Sequence, residues 1–336
     1  MARRAASLMP FAADGPLVSV VVPTRDGARH LRGAIASVLA QAYPRVECIV
    51  RDGASTDGSL AILESFGDRI RWRSQPDSGP FEAIEAGWAE AAGDILAWIN
   101  ADDRYLPGAI GRAVAAFDAH PEADVVYGAS AGIDERGRVI WWDRARPFSL
   151  EAAILDADHV INQPAAFIRR RAYDRAGGLL HEWIHDHDLW VRIAVAGGVY
   201  VAIPETLAAV RISDANRSMS PEFATARKRE LVERWLADER LPAAIRGRKR
   251  RARSNAWLRG MHYLRPARPR DWLLGARYAG NAFAADPTNL PGIAARPPRL
   301  ALRMAARPFA LRRAKRRMRS ERAEADAVPT GAGGEP

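Results

Sequence analysis

The run Val18-Ser19-Val20-Val21-Val22 is β-branched, apolar almost throughout and stopped by Pro23. A strand with no polar face suits a central position in a parallel sheet covered on both sides. Parallel neighbours need crossover connections, so the chain after it should alternate helix and strand. It does. Leu31, Ile35, Val38 and Leu39 mark a helical face that Pro44 interrupts, and Val46 to Val50 reads as a second strand ending in Arg51-Asp52-Gly53. Asp57 reads as the N-cap of a helix carrying Leu60, Leu63 and Phe66. Ile70 to Arg73 is a third strand, and Ser78-Gly79-Pro80 opens a helix with Ile84 and Trp88. Ile95 to Ile99, a helix through Ile110, Val114 and Phe117, and a strand at Val125 to Tyr127 complete the series. The pattern predicts a mostly parallel, doubly wound α/β sheet.

Thr24, Asp26, Asp52, Asp77, Asn100 and Asp102 all fall just after a strand. Each alone reads as an ordinary turn residue. In series they should gather along one sheet edge, where α/β folds bind ligands. The segment Ala92 to Arg104, A-A-G-D-I-L-A-W-I-N-A-D-D-R, is the focus. Adjacent carboxylates at Asp102 and Asp103 repel unless a cation neutralises them, and an oxygen-preferring Mg²⁺ or Mn²⁺ arriving with phosphates would do so. Asp103 as an N-cap, with Pro107 in the first turn, is the competing reading. No G-x-G-x-x-G follows the first strand and no G-x-x-x-x-G-K-[ST] occurs, so neither a dinucleotide fingerprint nor a P-loop is present.

Beyond Gly128 the pattern changes. Ile133 to Trp142 reads as a hairpin around Glu135-Arg136-Gly137. Asn162-Gln163-Pro164 precedes a strand at Ala165 to Ile168, a helix follows Arg169-Arg170-Arg171, and Val199 to Ile203 is a last strand. His185-Asp186-His187-Asp188 leads into an amphipathic helix. Alternate residues at a helix start do not face one another and no second cluster has ligand spacing, which argues against zinc. Asp186 or Asp188 as helix caps is one open reading, and a carboxylate acting as a base is another.

The one cysteine, Cys48, cannot form an internal disulfide and reads as a buried thiol. No apolar run reaches the length of a membrane span, and the N-terminal arginines lack the apolar core of a signal peptide. Charge is unevenly spread. The chain carries +10, yet Glu222–Arg322 holds 27 basic and 8 acidic residues, leaving 23 and 32 elsewhere. An acidic body thus joins a basic extension, and the two parts should have different partners. Stretches such as R-L-A-L-R-M-A-A-R-P-F-A-L-R-R-A-K-R-R-M-R fit an anionic membrane surface. A helical subdomain packed on the core is the alternative. Nucleic acid is not expected, because no recognition module is present. The expected organisation is a flexible arm at 1–16, a catalytic domain at 17–218, a basic helical extension at 219–322 and a disordered tail at 323–336.

From Val18 to Ser218 the chain resembles the family 2 glycosyltransferases, inverting enzymes of the GT-A (nucleotide-diphospho-sugar transferase) fold. V-S-V-V-V-P-T-R-D-G is similar to the family's opening strand and nucleotide-contacting turn. V-R-D-G-A-S-T-D-G-S is similar to its Asp-Gly-Ser-Thr-Asp turn, and Q-P-D-S-G-P-F-E-A-I-E-A-G to its Asp-x-Gly helix start. G-D-I-L-A-W-I-N-A-D-D is similar to its Asp-x-Asp metal strand. N-Q-P-A-A-F-I-R-R and H-D-H-D-L-W-V-R-I resemble its acceptor-side strand and Glu-Asp catalytic helix. The resemblance implies a nucleotide-diphospho-sugar site at Pro23, Thr24, Asp26, Asp52, Asp77, Gly79, Asn100, Ala101 and Asp102. It implies Mg²⁺ or Mn²⁺ at Asp102 with Asp103, and Asp186 as general base. Gln163, His185 and Asp188 would lie on the acceptor side. Asn100, Glu85, His185 and Ser213 depart from the family's Asp, Asn, Glu and His, with Asp214 or water as a substitute for the last.

The expected activity is transfer of a sugar to a saccharide or polyprenol-linked acceptor by a peripheral protein at the inner face of a membrane. The rivals are a non-catalytic nucleotide-sugar binding or scaffold protein and a nucleotidyltransferase. Trp98, Trp141, Trp142 and Trp183 are candidates to stack on sugar rings, although core packing is the commoner role of tryptophan.

Overall fold

The computed structural model describes residues 14–156, 161–180, 185–213, 220–264 and 269–294. In chain order these form β1 (Val18–Thr24), α1 (Ala28–Leu39), β2 (Val46–Asp52), α2 (Ser59–Glu64), β3 (Arg71–Ser74), α3 (Pro80–Ala89) and β4 (Ile95–Trp98). Next come β5 (Arg104–Tyr105), α4 (Ala109–Ala119), β6 (Val125–Ile133), β7 (Val139–Trp142), α5 (Leu150–Leu155), β8 (Ala166–Arg169), α6 (Arg170–Arg175), α7 (His185–Val195) and β9 (Tyr200–Arg211). The extension contributes α8 (Pro221–Ala237), α9 (Ala243–Arg246), α10 (Lys249–Leu258), α11 (Pro269–Ala285) and α12 (Leu290–Ala294).

One sheet runs in the order β3-β2-β1-β4-β8-β6-β9-β5, with β7 paired to β6. β3, β2, β1 and β4 are parallel, with Val20 opposite Cys48 and Ala97. β8 runs antiparallel between β4 and β6, and β6 pairs in parallel with β9. The period of two along β1 places Val18, Val20 and Val22 in one core with α1 and α4, while Val21 joins Ile84, Trp88, Leu189 and Trp190 in the other. Trp98 is buried in that second layer, edge-on to Trp88 at 5.2 Å and stacked on Trp190 at 6.3 Å. It is therefore a core residue rather than a sugar platform. Trp141 and Trp142 lie half-buried on β7, and Trp183 falls outside the described residues.

Two differences from the sequence reading have simple causes. The last strand does not stop at Ile203 but continues through Pro204 to Arg211. Its pairing with β6 skips register between Tyr127 and Ala129, and Pro204 falls in that skipped stretch, so the missing N–H lies at an irregularity instead of breaking the ladder. Arg104 and Tyr105 form a two-residue strand against β9, where only a turn was expected.

The helical extension, for 220–264, packs on the body. Leu231, Val232 and Trp235 of α8 and Ala252 and Ala256 of α10 share a buried cluster with Ala153, Ile154 and Leu155 of α5 and Val191 of α7. The basic stretch at 299–319 and the tail at 323–336 lie outside the described residues. No helix of the described residues is long and apolar enough to cross a membrane.

Helix α3 rests directly on β1 at Gly87, where an added Cβ would sit 2.6 Å from Val21 Cγ2 and 2.7 Å from its Cγ1. Alanine would gain about 1 kcal/mol in helix propensity. Overpacking against a fully buried, β-branched neighbour costs about 1–3 kcal/mol. Gly87→Ala is accordingly expected to lower the urea midpoint; an unchanged or raised midpoint would mean that α3 does not rest on β1 at this point.

Candidate active site

Two loops beyond the C-terminal ends of β1 and β2 are locked to each other. Asp57 Oδ2 accepts from the Ala28 N–H at the start of α1 at 2.8 Å, while its Oδ1 accepts from Ser59. One carboxylate thereby serves two helix starts. Burial opposes its ionisation, but the Ser59 and Ala28 hydrogen bonds prevail and hold it below the usual carboxylate range. In return Asp26 Oδ1 accepts from Thr56 N–H at 2.8 Å, and the Asp26 N–H donates to Ser55 Oγ at 2.7 Å. Asp26 adopts φ 50°, a left-handed conformation that a short polar side chain tolerates when it bonds locally.

Above this interlock lies a cavity of about 720 Å³. Its lining includes five of the six strand-end residues expected to gather, Thr24, Asp26, Asp77, Asn100 and Asp102 but not Asp52, together with Pro23, Gly79 and Ala101, which the resemblance implied. Thr24 Oγ1 is buried there with no hydrogen-bond partner among the described residues, a donor and acceptor available to a ligand. Gly79, at φ 141°, starts α3 and gives its N–H to Asp77 Oδ1 at 3.0 Å. Burial raises the Asp77 carboxyl above its ordinary range despite that bond.

The other predicted carboxylates are sorted by their partners. Asp52 is buried beneath the cavity, bordering a narrow cleft with Asp77. Its oxygens accept from the Ser55 N–H at 2.9 Å, from Ser55 Oγ, and from Ser74 Oγ at 2.6 Å. Asp102 faces the cavity and makes no ion pair among the described residues. Its carboxyl is raised, first by burial, against the opposing charges of Arg211 and His30. Asp103, expected to share the metal, points elsewhere: it is 2% exposed and accepts from Arg211 N–H at 2.8 Å and Asn100 Nδ2 at 2.9 Å. Burial and the neighbouring Asp102 push it up to about 8. It pins the end of β9 and does not line the cavity.

On the acceptor side, Gln163 is buried and donates to the Trp98 carbonyl at 2.7 Å. Asp186 is half-buried on the first turn of α7, outside the cavity lining, and His185 is the first residue of that helix. Asp188 was also expected on the acceptor side. It is wholly buried, with Oδ2 accepting from Arg192 at 2.7 Å and Oδ1 from Arg234 and from the Trp235 indole at 3.0 Å. Glu85, in place of the family's Asn, accepts from Tyr173 Oη at 2.7 Å and Leu179 N–H at 2.6 Å. It ties α3 to the segment that approaches α7.

The cavity also contains groups that the sequence did not single out: Arg25, Arg29, His30, Glu135 and Arg211. Arg29 pairs with Glu135 at 2.8 Å, joining α1 to the β6–β7 hairpin. Arg211 is 2% exposed and donates to the Asp102 carbonyl at 3.1 Å and the Asp134 carbonyl at 2.6 Å. Arg29 and His30 lie on the first turn of α1 and Arg211 at the end of β9, 187 residues after Thr24, so only the fold brings them together. Ser213, noted from sequence, does line the cavity, and Asp214 lies outside the described residues.

Among the described residues no three His, Cys, Asp or Glu side chains gather for a metal ion. Mg²⁺ and Mn²⁺ sites in phosphate-handling proteins often need one or two carboxylates, with phosphate oxygens and water supplying the remainder. A half-buried Asp102 with no ion pair among the described residues, in a cavity of about 720 Å³, fits that pattern.

This sheet, with its cavity over the ends of β1 and β4, has the GT-A fold of glycosyltransferases. Residues 19–177 match the sequence model of glycosyl transferase family 2, and this segment belongs to that family. The chain is 28% identical over 208 residues to an uncharacterized glycosyltransferase of Rickettsia typhi, covering 60% of this chain and 65% of that one. It is 31% identical over 223 residues to the O-antigen biosynthesis protein RfbC of Myxococcus xanthus, covering 62% of this chain and 17% of the other. The chain thus spans less than two thirds of either relative. Its fold is similar to that of the mannosyltransferase PcManGT from Pyrobaculum calidifontis, solved with GDP-Man and Mn²⁺. The TM-score is 0.60, with 19% identity and 90% and 88% of the two chains covered.

Gly53 leaves room for the Asp77 carboxylate, since an added Cβ would lie 2.8 Å from its Oδ2. Gly53→Ala is expected to weaken nucleoside-diphosphate binding about tenfold while the protein stays folded. Calorimetric titration beside a melting curve checks this; undiminished affinity would remove Asp77 from the nucleotide site.

Proposed function

We propose that the protein transfers a glycosyl group from a nucleoside-diphosphate sugar to a hydroxyl of a saccharide or polyprenol-linked acceptor, with inversion at the anomeric carbon. The observation that carries the reading is Asp102: a half-buried carboxylate without an ion pair among the described residues, facing a cavity whose orphaned Thr24 hydroxyl and arginines suit a phosphorylated ligand. Asp102 would hold Mg²⁺ or Mn²⁺, which supplies Lewis-acid stabilisation of the departing diphosphate. Arg211, fixed by the Asp102 and Asp134 carbonyls, adds a preorganised positive charge to the same cavity. Asp77 and Asp52 form the nucleoside end.

Asp186 is the proposed general base. The acceptor hydroxyl is a poor nucleophile until a carboxylate takes its proton as the oxygen attacks. The new C–O bond forms as the bond to the diphosphate breaks, the proton passes to Asp186, and the nucleoside diphosphate leaves with the bonding pair. One displacement inverts the centre without a covalent intermediate. The basic extension favours work at the inner face of an anionic membrane, in keeping with a lipid-linked acceptor and with the O-antigen assignment of one relative.

Asp186→Asn is expected to reduce transfer by a factor on the order of 10² or more while donor affinity stays within about twofold. Proton NMR of the wild-type product should show the anomer opposite to that of the donor. Retention of configuration, or a fully active Asp186→Asn, would remove the base assignment.

Metal loading should depend on pH through Asp102. Burial raises its carboxyl above the ordinary range, and a proton there competes with a cation, so Mn²⁺ affinity should fall as the pH is lowered toward the carboxylate range. Mn²⁺ paramagnetic resonance titrations measure this. Affinity independent of pH, or unaltered in Asp102→Ala, would place the metal elsewhere.

A further inference from the structure

The four residues that open α7 divide their side chains between two tasks. Asp186 is half-buried, whereas His187 is 2% exposed and Asp188 is wholly buried, and both are gripped by α8. Lys228, itself 1% exposed, donates to the Ala153 carbonyl of α5 at 3.0 Å. Its ammonium lies 3.2 Å from His187 Nδ1 and 4.7 Å from the centre of the Trp235 ring. One turn and a half further along α8, Arg234 and Trp235 donate to Asp188. Arg192 closes the other side of that carboxylate and reaches back to the carbonyls of Ala176 and Gly178.

This is costly chemistry for a merely packed helix. A buried ammonium loses several kcal/mol of hydration, and apolar replacements of buried ionic groups are often neutral or stabilising. Leu231, Val232 and Trp235 already supply an apolar seam between α8 and the body. The polar contacts add direction: they act on the residues one and two positions after Asp186, and they fix the rotation and axial position of the first turn of α7. The family match ends at residue 177, before either helix.

We propose that α8 of the extension is a working part of the acceptor side, with Lys228, Arg234 and Trp235 as positioning residues that set the carboxylate of Asp186 through His187 and Asp188. The proposal rests on the reading of Asp186 as base. It assigns the start of the extension to catalysis, not to membrane attachment.

The test is a double-mutant cycle in the full chain with Lys228→Met and Asp186→Asn. Lys228→Met keeps the length of the side chain and removes the charge. In the wild-type background it should lower kcat for transfer about tenfold or more, with nucleotide-donor affinity within about twofold. In the Asp186→Asn background it should have almost no further effect, because the group it positions is gone. Trp235→Phe, which deletes the indole N–H but keeps a ring, should lower kcat in the same direction and by less. It also provides the readout if Lys228→Met does not fold. A folded Lys228→Met with unchanged kcat, or losses that multiply independently across the cycle, would overturn the brace. A fully active Asp186→Asn would instead overturn the base assignment, so the two failures are separable.

Discussion

The cavity over the ends of β1 and β4 depends on the hydrogen bonds between the loops that follow β1 and β2. Each loop supplies an aspartate to the other: Asp57 to the Ala28 N–H, and Asp26 to the Thr56 N–H. One backbone donor at the start of α1 and one in the loop before α2 are satisfied, and the Pro23–Gly27 turn is held at a fixed height above the sheet. Gly27 permits this approach, since a Cβ there would meet Thr24 Oγ1 at 2.5 Å. Without this interlock Thr24, Asp26 and the start of α1 would have no common frame with Asp77 and Asp102.

On that frame the carboxylates take different tasks because their surroundings differ. Asp52 is saturated by the Ser55 and Ser74 hydrogen bonds and organises its loop. Asp103 is consumed by the Arg211 N–H and Asn100. Asp188 is consumed by α7 and α8. Asp102 faces the cavity of about 720 Å³ with no comparable partner among the described residues, and a carboxylate so placed is open to a cation. Asp103 and Asp188 would be poor ligands or bases, because recruiting either one breaks buried hydrogen bonds without replacement.

Much of this was legible in the sequence, for identifiable reasons. Strands buried on both faces leave apolar runs such as Val18–Val22 and Ile95–Ile99, and helices between them leave the Leu31, Ile35, Val38 period. Because strand ends in such a sheet share one edge, Thr24, Asp77 and Asp102 could be grouped without coordinates. Long-range pairing was not legible. Adjacent Asp102 and Asp103 look equivalent in a string, yet only the backbone turn decides which one faces the cavity. Pro204 looked like a strand end because the register shift that accommodates it, between Tyr127 and Ala129, belongs to the pairing with the distant β6. The attachment of α8 to α7 joins residues some 40 positions apart, and a basic, weakly amphipathic helix gives little hint that Lys228 is its buried contact.

The central claim is that this cavity binds a nucleoside diphosphate through a metal held by Asp102. Calorimetric titration of UDP and GDP into the full chain, with Mn²⁺ and then with EDTA, tests it most directly when repeated on Asp102→Ala. The account predicts that one nucleotide binds in the presence of metal, and that both EDTA and the substitution weaken it by a factor on the order of ten or more. Binding of equal strength with EDTA, or in a folded Asp102→Ala, would contradict the assigned role of Asp102 and leave the arginines of the cavity to carry the diphosphate alone.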